Sequence, residues 1–195
     1  MKQLLGPLRM PNRHGLWIAV TLILGLFPLG CGRAGETATA VLDRDETEIA
    51  AIQRAVDLTY EASSFLDSGS ADPEGFREPF TPDARLAYVR DGELVERTVD
   101  EYVEIRRGII QSGEIESLEE WELDGRTEFF GNVAQRISSY AVRIDGASEL
   151  AERGVMSFQL VRVGGVWRVN SLTWQAESDD LQLPERFLPM SNGAS

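Results

Sequence analysis

Few residue types in this chain are available for chemistry. The one lysine is Lys2, the one histidine His14 and the one cysteine Cys31, and all three precede the stretch patterned like a folded domain. That domain therefore has no Schiff-base lysine, no imidazole base and no thiol nucleophile. It also has no His or Cys cluster to hold zinc, iron or copper, so neither a metal nor a cofactor is expected. Any catalysis there rests on Asp, Glu, Tyr, Ser, Thr and Arg. The most informative constellation lies in residues 154–175, where two runs rich in Val, aromatic and Thr residues flank Gly164-Gly165. A Gly-Gly pair supplies the positive φ angles of a two-residue hairpin turn. With Val163 opposite Val166, the register puts Met156, Phe158, Leu160, Trp167 and Val169 on one face and Val155, Ser157, Gln159, Asn170, Leu172 and Trp174 on the other. Apolar walls with a few convergent polar groups make a ligand pocket, so Ser157, Gln159, Asn170 and Trp174 are candidate pocket residues. In the plainer alternative the three polar side chains satisfy one another across the hairpin, and Trp174 fills space rather than lining it. Trp167 reads as core.

The elements that must position this face follow in order. Asp45 and Glu48 form a capping-box-like pair, and Ile49, Ile52, Val56 and Tyr60 recur at helical spacing to about residue 66. Asp72-Pro73-Glu74 has the form of a cap with proline at the first helical position and opens a short second helix toward Phe80. Strands at 85–90 and 93–97 flank Asp91-Gly92, a type I′ hairpin signal. Thr98 and Glu101 make a capping box for a third helix carrying Val99, Tyr102, Val103, Arg106 and Ile110, which Gly113 ends. In 117–127, Trp121 and Leu123 alternate with Glu120, Glu122 and Asp124, as in a strand wet on one side. A turn at Gly131-Asn132 leads to a strand over 133–144 with two readings of its inner face: Gln135, Ile137 and Ser139, or Arg136, Ser138 and Tyr140. The first leaves Arg136 to solvent and is preferred, which adds Gln135 to the pocket candidates. Helices gathered on one face of a curved antiparallel sheet give an α+β domain.

The chain has 195 residues, 43% of them hydrophobic, enough for one domain with a real core. Residues 1–31 read as an export signal, with Lys2, Arg9 and Arg13 ahead of an apolar run of about 14 residues, short of the ~20 that span a bilayer as a helix. Gly30-Cys31 at its end resembles a bacterial lipobox, with Pro28 where such boxes favour Leu. It predicts lipidation of Cys31 and a membrane-anchored, extracytoplasmic protein, the alternatives being an ordinary cleaved signal or an uncleaved anchor. Residues 32–44 then serve as a flexible tether, 45–177 as the domain and 178–195 as a tail whose apolar residues dock on the domain edge. The formal charge is −13; without Lys2, Arg9 and Arg13, 16 basic residues face 32 acidic ones, a net of −16. Nucleic acid, which needs a basic footprint, is excluded as a partner.

Four segments carry a resemblance: 80–84 (Phe-Thr-Pro-Asp-Ala), 130–140 from Phe130-Gly-Asn-Val-Ala-Gln135 to Tyr140, 153–160, and 167–175 ending Leu-Thr-Trp-Gln. Together, over residues 45–177, they resemble the nuclear transport factor 2-like (NTF2-like, SnoaL-like) superfamily, which also holds ketosteroid isomerases and SnoaL-type cyclases. The resemblance implies a cone of three N-terminal helices on the curved sheet, a cavity within it, and a homodimer formed through the sheet. It also implies where isomerase groups would fall. The general base, five residues beyond the Asp of an Asp-Ala pair, lands on Tyr88; the acid donor lands on Ser157; and Tyr60 falls near the tyrosine donor. The histidines of scytalone dehydratase-like members have no counterpart. No catalytic residue is matched, and activity does not follow from fold. The first expectation is therefore non-catalytic binding of a small, partly apolar ligand by Tyr60, Tyr88, Gln135, Ser157, Gln159, Asn170 and Trp174. The alternatives are an isomerase, dehydratase or cyclase using a tyrosine and a carboxylate, or a cell-envelope interaction module whose cavity is filled by its own side chains. A carboxylate beside Tyr60 would favour the enzyme.

Overall fold

The computed structural model of the protein describes residues 34–90 and 92–189. The expected signal at 1–31, with Lys2, His14 and Cys31, lies outside the described residues, as does Asp91. Helix α1 spans Ala34–Ser63. It begins well ahead of Asp45, so most of the expected tether is helical; no proline interrupts that stretch. Strand β1 is Phe80–Arg90, β2 Glu93–Thr98, α2 Val99–Ser112, β3 Leu118–Phe130, β4 Val133–Ile144, β5 Glu152–Val163 and β6 Val166–Ala176.

Where local chemistry is decisive, the chain folds as its sequence predicts. Thr98 Oγ1 accepts from the Glu101 N–H at 3.1 Å while the Glu101 carboxylate accepts from the Thr98 N–H at 2.8 Å, and Gly113 ends α2 at φ +65°. Val163 pairs with Val166 around Gly164 and Gly165, at φ +60° and +84°.

The second helix is corrected to a single 3-10 turn, Glu74–Arg77, leaving two α-helices among the described residues. Phe76 anchors the turn, its ring 4.9 Å from Tyr102 and 5.1 Å from Phe80. The Val169 N–H then donates to the Pro79 carbonyl at 2.8 Å and draws the chain out into β1. The sheet is corrected too, from antiparallel to mixed. Its order is β2-β1-β6-β5-β4-β3, with β1 and β6 parallel and every other pair antiparallel.

Three strands differ from the expected orientation, and together they create the site. In β6, Gln159 pairs with Ser171 but Leu160 with Val169, so Asn170 is an extra residue. Such a bulge shifts the alternation by one. Leu172 and Trp174 therefore join Phe158 and Met156 on the inner face, while Ser157, Gln159 and Asn170 face outward. In β4 the inner residues are Ala134, Arg136, Ser138 and Tyr140, all buried, and Gln135 is exposed. In β3, Glu120 and Glu122 lie opposite Val142 and Tyr140 on that inner face, and the half-buried Trp121 takes the outer one beneath the Arg143 guanidinium.

One interaction explains both the β3 and the β4 inversion. Arg136 donates from Nε and Nη2 to the two oxygens of Glu122, each at 2.8 Å, and from Nη1 to Thr127 Oγ1 at 2.6 Å. Charges are tolerated inside when paired and hydrogen-bonded. A Cβ on Gly125 would lie 2.4 Å from both Arg136 Nη2 and Glu122 Oε1, so the ion pair occupies space that only glycine leaves free.

Candidate functional site

Between α1, α2, the Glu74–Arg77 turn and the inner face of the sheet lies a cavity of about 290 Å³. Phe76, Leu86, Met156, Leu172 and Trp174 give it apolar walls, and Tyr60, Ser63, Tyr102, Arg106, Glu120 and Glu152 bring polar groups. Ile105, Ala151 and Glu152 are exposed and form its mouth.

Helix α1 supplies Tyr60, whose hydroxyl is 2.7 Å from Ser138 Oγ and whose ring meets Phe158 edge-on at 5.9 Å. Burial pushes its phenol well above the ordinary tyrosine range. Helix α2 supplies Tyr102 and Arg106, four residues apart and so on one face. Burial pushes Tyr102 up to about 12, so at neutral pH it is a phenol. Strand β4 supplies Tyr140, which donates to Glu152 Oε1 at 2.6 Å; burial, then that carboxylate, raises its pKa.

Glu120 is the residue with acid–base capacity. Its strand is fixed to the end of α1: Phe65 and Leu118 exchange backbone hydrogen bonds at 2.8 Å, and the Glu120 N–H donates to Ser64 Oγ at 2.9 Å. The residue is half-buried, its remaining surface opening into the cavity and into a groove beside α1 that Asp57, Glu61 and Trp121 line. Burial raises its pKa to about 7, with a further rise from the Glu152 charge, against the opposing effects of a Ser63 hydrogen bond and the Arg106 charge. A carboxyl group poised there exchanges protons near neutrality in either direction. Among the described residues no group of three or more His, Cys, Asp or Glu side chains is placed to hold a metal ion.

Of the residues singled out from the sequence, Tyr60 and Trp174 line this cavity. Tyr88 stands behind Trp174, ring to ring at 4.7 Å. Ser157, Gln159 and Asn170 lie on the outer face, opposite Met156, Phe158 and Val169, and Asn170 Oδ1 accepts from Thr81 Oγ1 at 3.3 Å. Gln135 lies in an outer groove with Ile137, Val155 and Phe187 of the tail. Glu120, Glu152, Tyr102, Tyr140 and Arg106 were not singled out. The signal that reaches Glu120 is Arg136: once an inward arginine is given a carboxylate partner on β3, Glu122 turns inward and Glu120 with it.

The two tryptophans separate cavity wall from core. Trp167 is 5% exposed and donates from Nε1 to Glu48 Oε2 at 3.1 Å, whereas Trp174 is half-buried on the cavity. Trp167→Ala is expected to cost about 3 kcal/mol and Trp174→Ala about half of that. Urea denaturation measures both, and equal losses would mean that Trp174 is packed as core.

No family model matches the chain, and no curated protein is similar to it in sequence. Solved structures do match. A protein of unknown function from Mycobacterium tuberculosis is 19% identical over 74% of this chain and 81% of its own, with a TM-score of 0.57. A candidate scytalone dehydratase from Novosphingobium aromaticivorans is 19% identical over 73% and 93%, at 0.54. An NTF2-like protein of unknown function from Pseudomonas putida is 13% identical over 75% and 98%, at 0.53. Identities this low speak for the fold alone: the chain has the NTF2-like fold.

Proposed function

We propose that this NTF2-like domain takes a small, partly apolar molecule into its cavity and moves a proton on it, with Glu120 as the acid–base group. The observation that carries the reading is a carboxyl group with a pKa of about 7 on the wall of a cavity that Tyr60 and Tyr102 also line. The size limits the substrate, since about 290 Å³ sits at the small end of the roughly 300–1,000 Å³ usual for ligand sites. Ionised Glu120 accepts a proton from a carbon next to an electron-withdrawing group. Returned by Glu120 to a different carbon, that proton gives an isomerisation; handed instead to a β-hydroxyl, which leaves as water while the electron pair closes the double bond, it gives a dehydration. The phenols of Tyr60 and Tyr102, held protonated, are the donors for developing negative charge. Passive binding is the second reading, favoured by the absence of any isomerase-type aspartate at Tyr88.

Deuterium wash-in decides between them. Small enolisable ketones and β-hydroxy acids incubated with the protein in D₂O should gain carbon-bound deuterium, read by NMR. The rate should climb as pH rises through about 7, where Glu120 becomes a base. No exchange above background for any of them would leave passive binding as the better account.

The same proposal keeps the domain outside the cytoplasm, anchored through a lipid on Cys31. Its support is the lone cysteine after a small residue at the end of the apolar run. Cys31→Ser should remove palmitate labelling and release a soluble or uncleaved species. Equal labelling of the two forms would sink the anchor.

A further inference from the structure

Two arginines among the described residues are buried, each 7% exposed, and the fold treats them differently. Arg136 has both oxygens of Glu122 and the Thr127 hydroxyl as partners. Arg106 donates from Nη1 to the Ser63 carbonyl at 2.8 Å and lies over the Phe76 ring at 5.2 Å. Its Nε is buried with no hydrogen-bond partner, and among the described residues no carboxylate forms an ion pair with it. A guanidinium taken out of water without a contacting counter-ion is costly, and such groups are normally paired; the Glu120 carboxyl acts on it electrostatically but forms no ion pair with it. This one lines the cavity.

The geometry points to Arg106 as the anchor for a carboxylate on the molecule that occupies the cavity. Nη1 is held by the Ser63 carbonyl and Nε is closed off, so the carboxylate meets the Nη2 end of the guanidinium in a charge-assisted hydrogen bond. One cation balances one negative charge. A phosphate dianion would bring a second beside Glu120 and Glu152, with nothing to offset it. The remaining walls, Phe76, Leu86, Met156, Leu172 and Trp174, suit an aromatic or alicyclic ring, so the ligand class is a small ring-bearing monocarboxylate. The inference rests on the reading of the cavity as a small-molecule site, but not on proton transfer by Glu120.

Benzoate and benzyl alcohol, nearly equal in shape and different in charge, are the probes, with the Trp174 indole N–H signal in NMR titrations as readout. Wild type is expected to bind benzoate at least tenfold more tightly, on the order of one charge-assisted hydrogen bond. Arg106→Met should bind benzyl alcohol about as wild type does and lose the preference. If that variant does not fold, Arg106→Gln serves instead, keeping an amide donor for the Ser63 carbonyl without the charge and reducing the preference several-fold. The proposal is overturned if wild type binds benzoate no better than the alcohol or not at all, or if the arginine variants keep the full preference. Glu120→Gln, which removes negative charge from the cavity, should bind benzoate at least as tightly as wild type. That variant separates the two readings: loss of exchange with retained binding bears on Glu120 alone, and loss of carboxylate preference in Arg106→Met bears on Arg106 alone.

Discussion

Glu120→Gln is expected to slow proton exchange in the cavity by roughly 10²–10⁴-fold, the usual contribution of a positioned acid–base group. It should also remove a stability penalty that the wild type carries at neutral and alkaline pH. The folded-state pKa of Glu120 is raised from 4.5 to about 7, so between those values the folded protein binds more protons than the unfolded chain. Stability from this residue is then fully present below about 4.5, falls as pH rises, and levels off above 7. Gln cannot ionise. Measured by urea denaturation, the stability of Glu120→Gln relative to wild type should therefore improve by roughly 1–3 kcal/mol between pH 4.5 and pH 8. A pH-independent difference would mean that Glu120 titrates as an ordinary surface carboxylate, and the acid–base reading would lose its basis. Exchange and stability moving in opposite directions would be the signature of a strained functional group.

The other large effect belongs to the Arg136–Glu122 pair, whose side chains are 8% and 15% exposed. Burial by itself would raise the pKa of Glu122, but hydrogen bonds from Arg136, Ser138 and Gln53 outweigh it and hold the carboxyl below its usual value. The Gln53 amide donates to Oε2 at 2.8 Å, which ties α1 to the sheet through the same carboxylate. Arg136→Met strands a buried negative charge and is expected to cost about 3–5 kcal/mol at pH 7. The pair stabilises above the ordinary carboxylate range, and its contribution is lost as pH falls through the lowered pKa of Glu122, so the difference between variant and wild type should shrink in acid. Replacing both residues, Glu122→Leu with Arg136→Met, should recover much of the loss, because an apolar pair in that space strands no charge. A single-variant loss below about 1 kcal/mol, with an unchanged denaturant slope, would show that water reaches the pair.

What the sequence by itself determined is what a few neighbouring residues decide among themselves. The Gly164-Gly165 turn, the Thr98–Glu101 capping box and the Gly113 helix end follow from backbone sterics and hydrogen bonds that close within four residues. Helical and strand periodicity, in the order the chain presents it, was enough for the α+β class, and four short segments carried the resemblance that the solved structures bear out at the level of fold. Tertiary structure alone decided which way the strands face. Alternation has two phases that differ only in what each face meets, and for β3 and β4 keeping the charged residues in water favoured the wrong one. Glu122 and Arg136, assigned to solvent when each was taken separately, are stable inside because each is the other's counter-charge across two strands. In β6 the phase changes partway, at Asn170, where a bulge against β5 brings Leu172 and Trp174 to the inner face and leaves Ser157, Gln159 and Asn170 on the outer one. The cavity's chemistry depends on the same non-local pairing. Glu120 has a pKa of about 7, and Arg106 a buried Nε without a partner, because strands and helices far apart in sequence close around them. Desolvation belongs to the assembled fold and has no local signature in the chain.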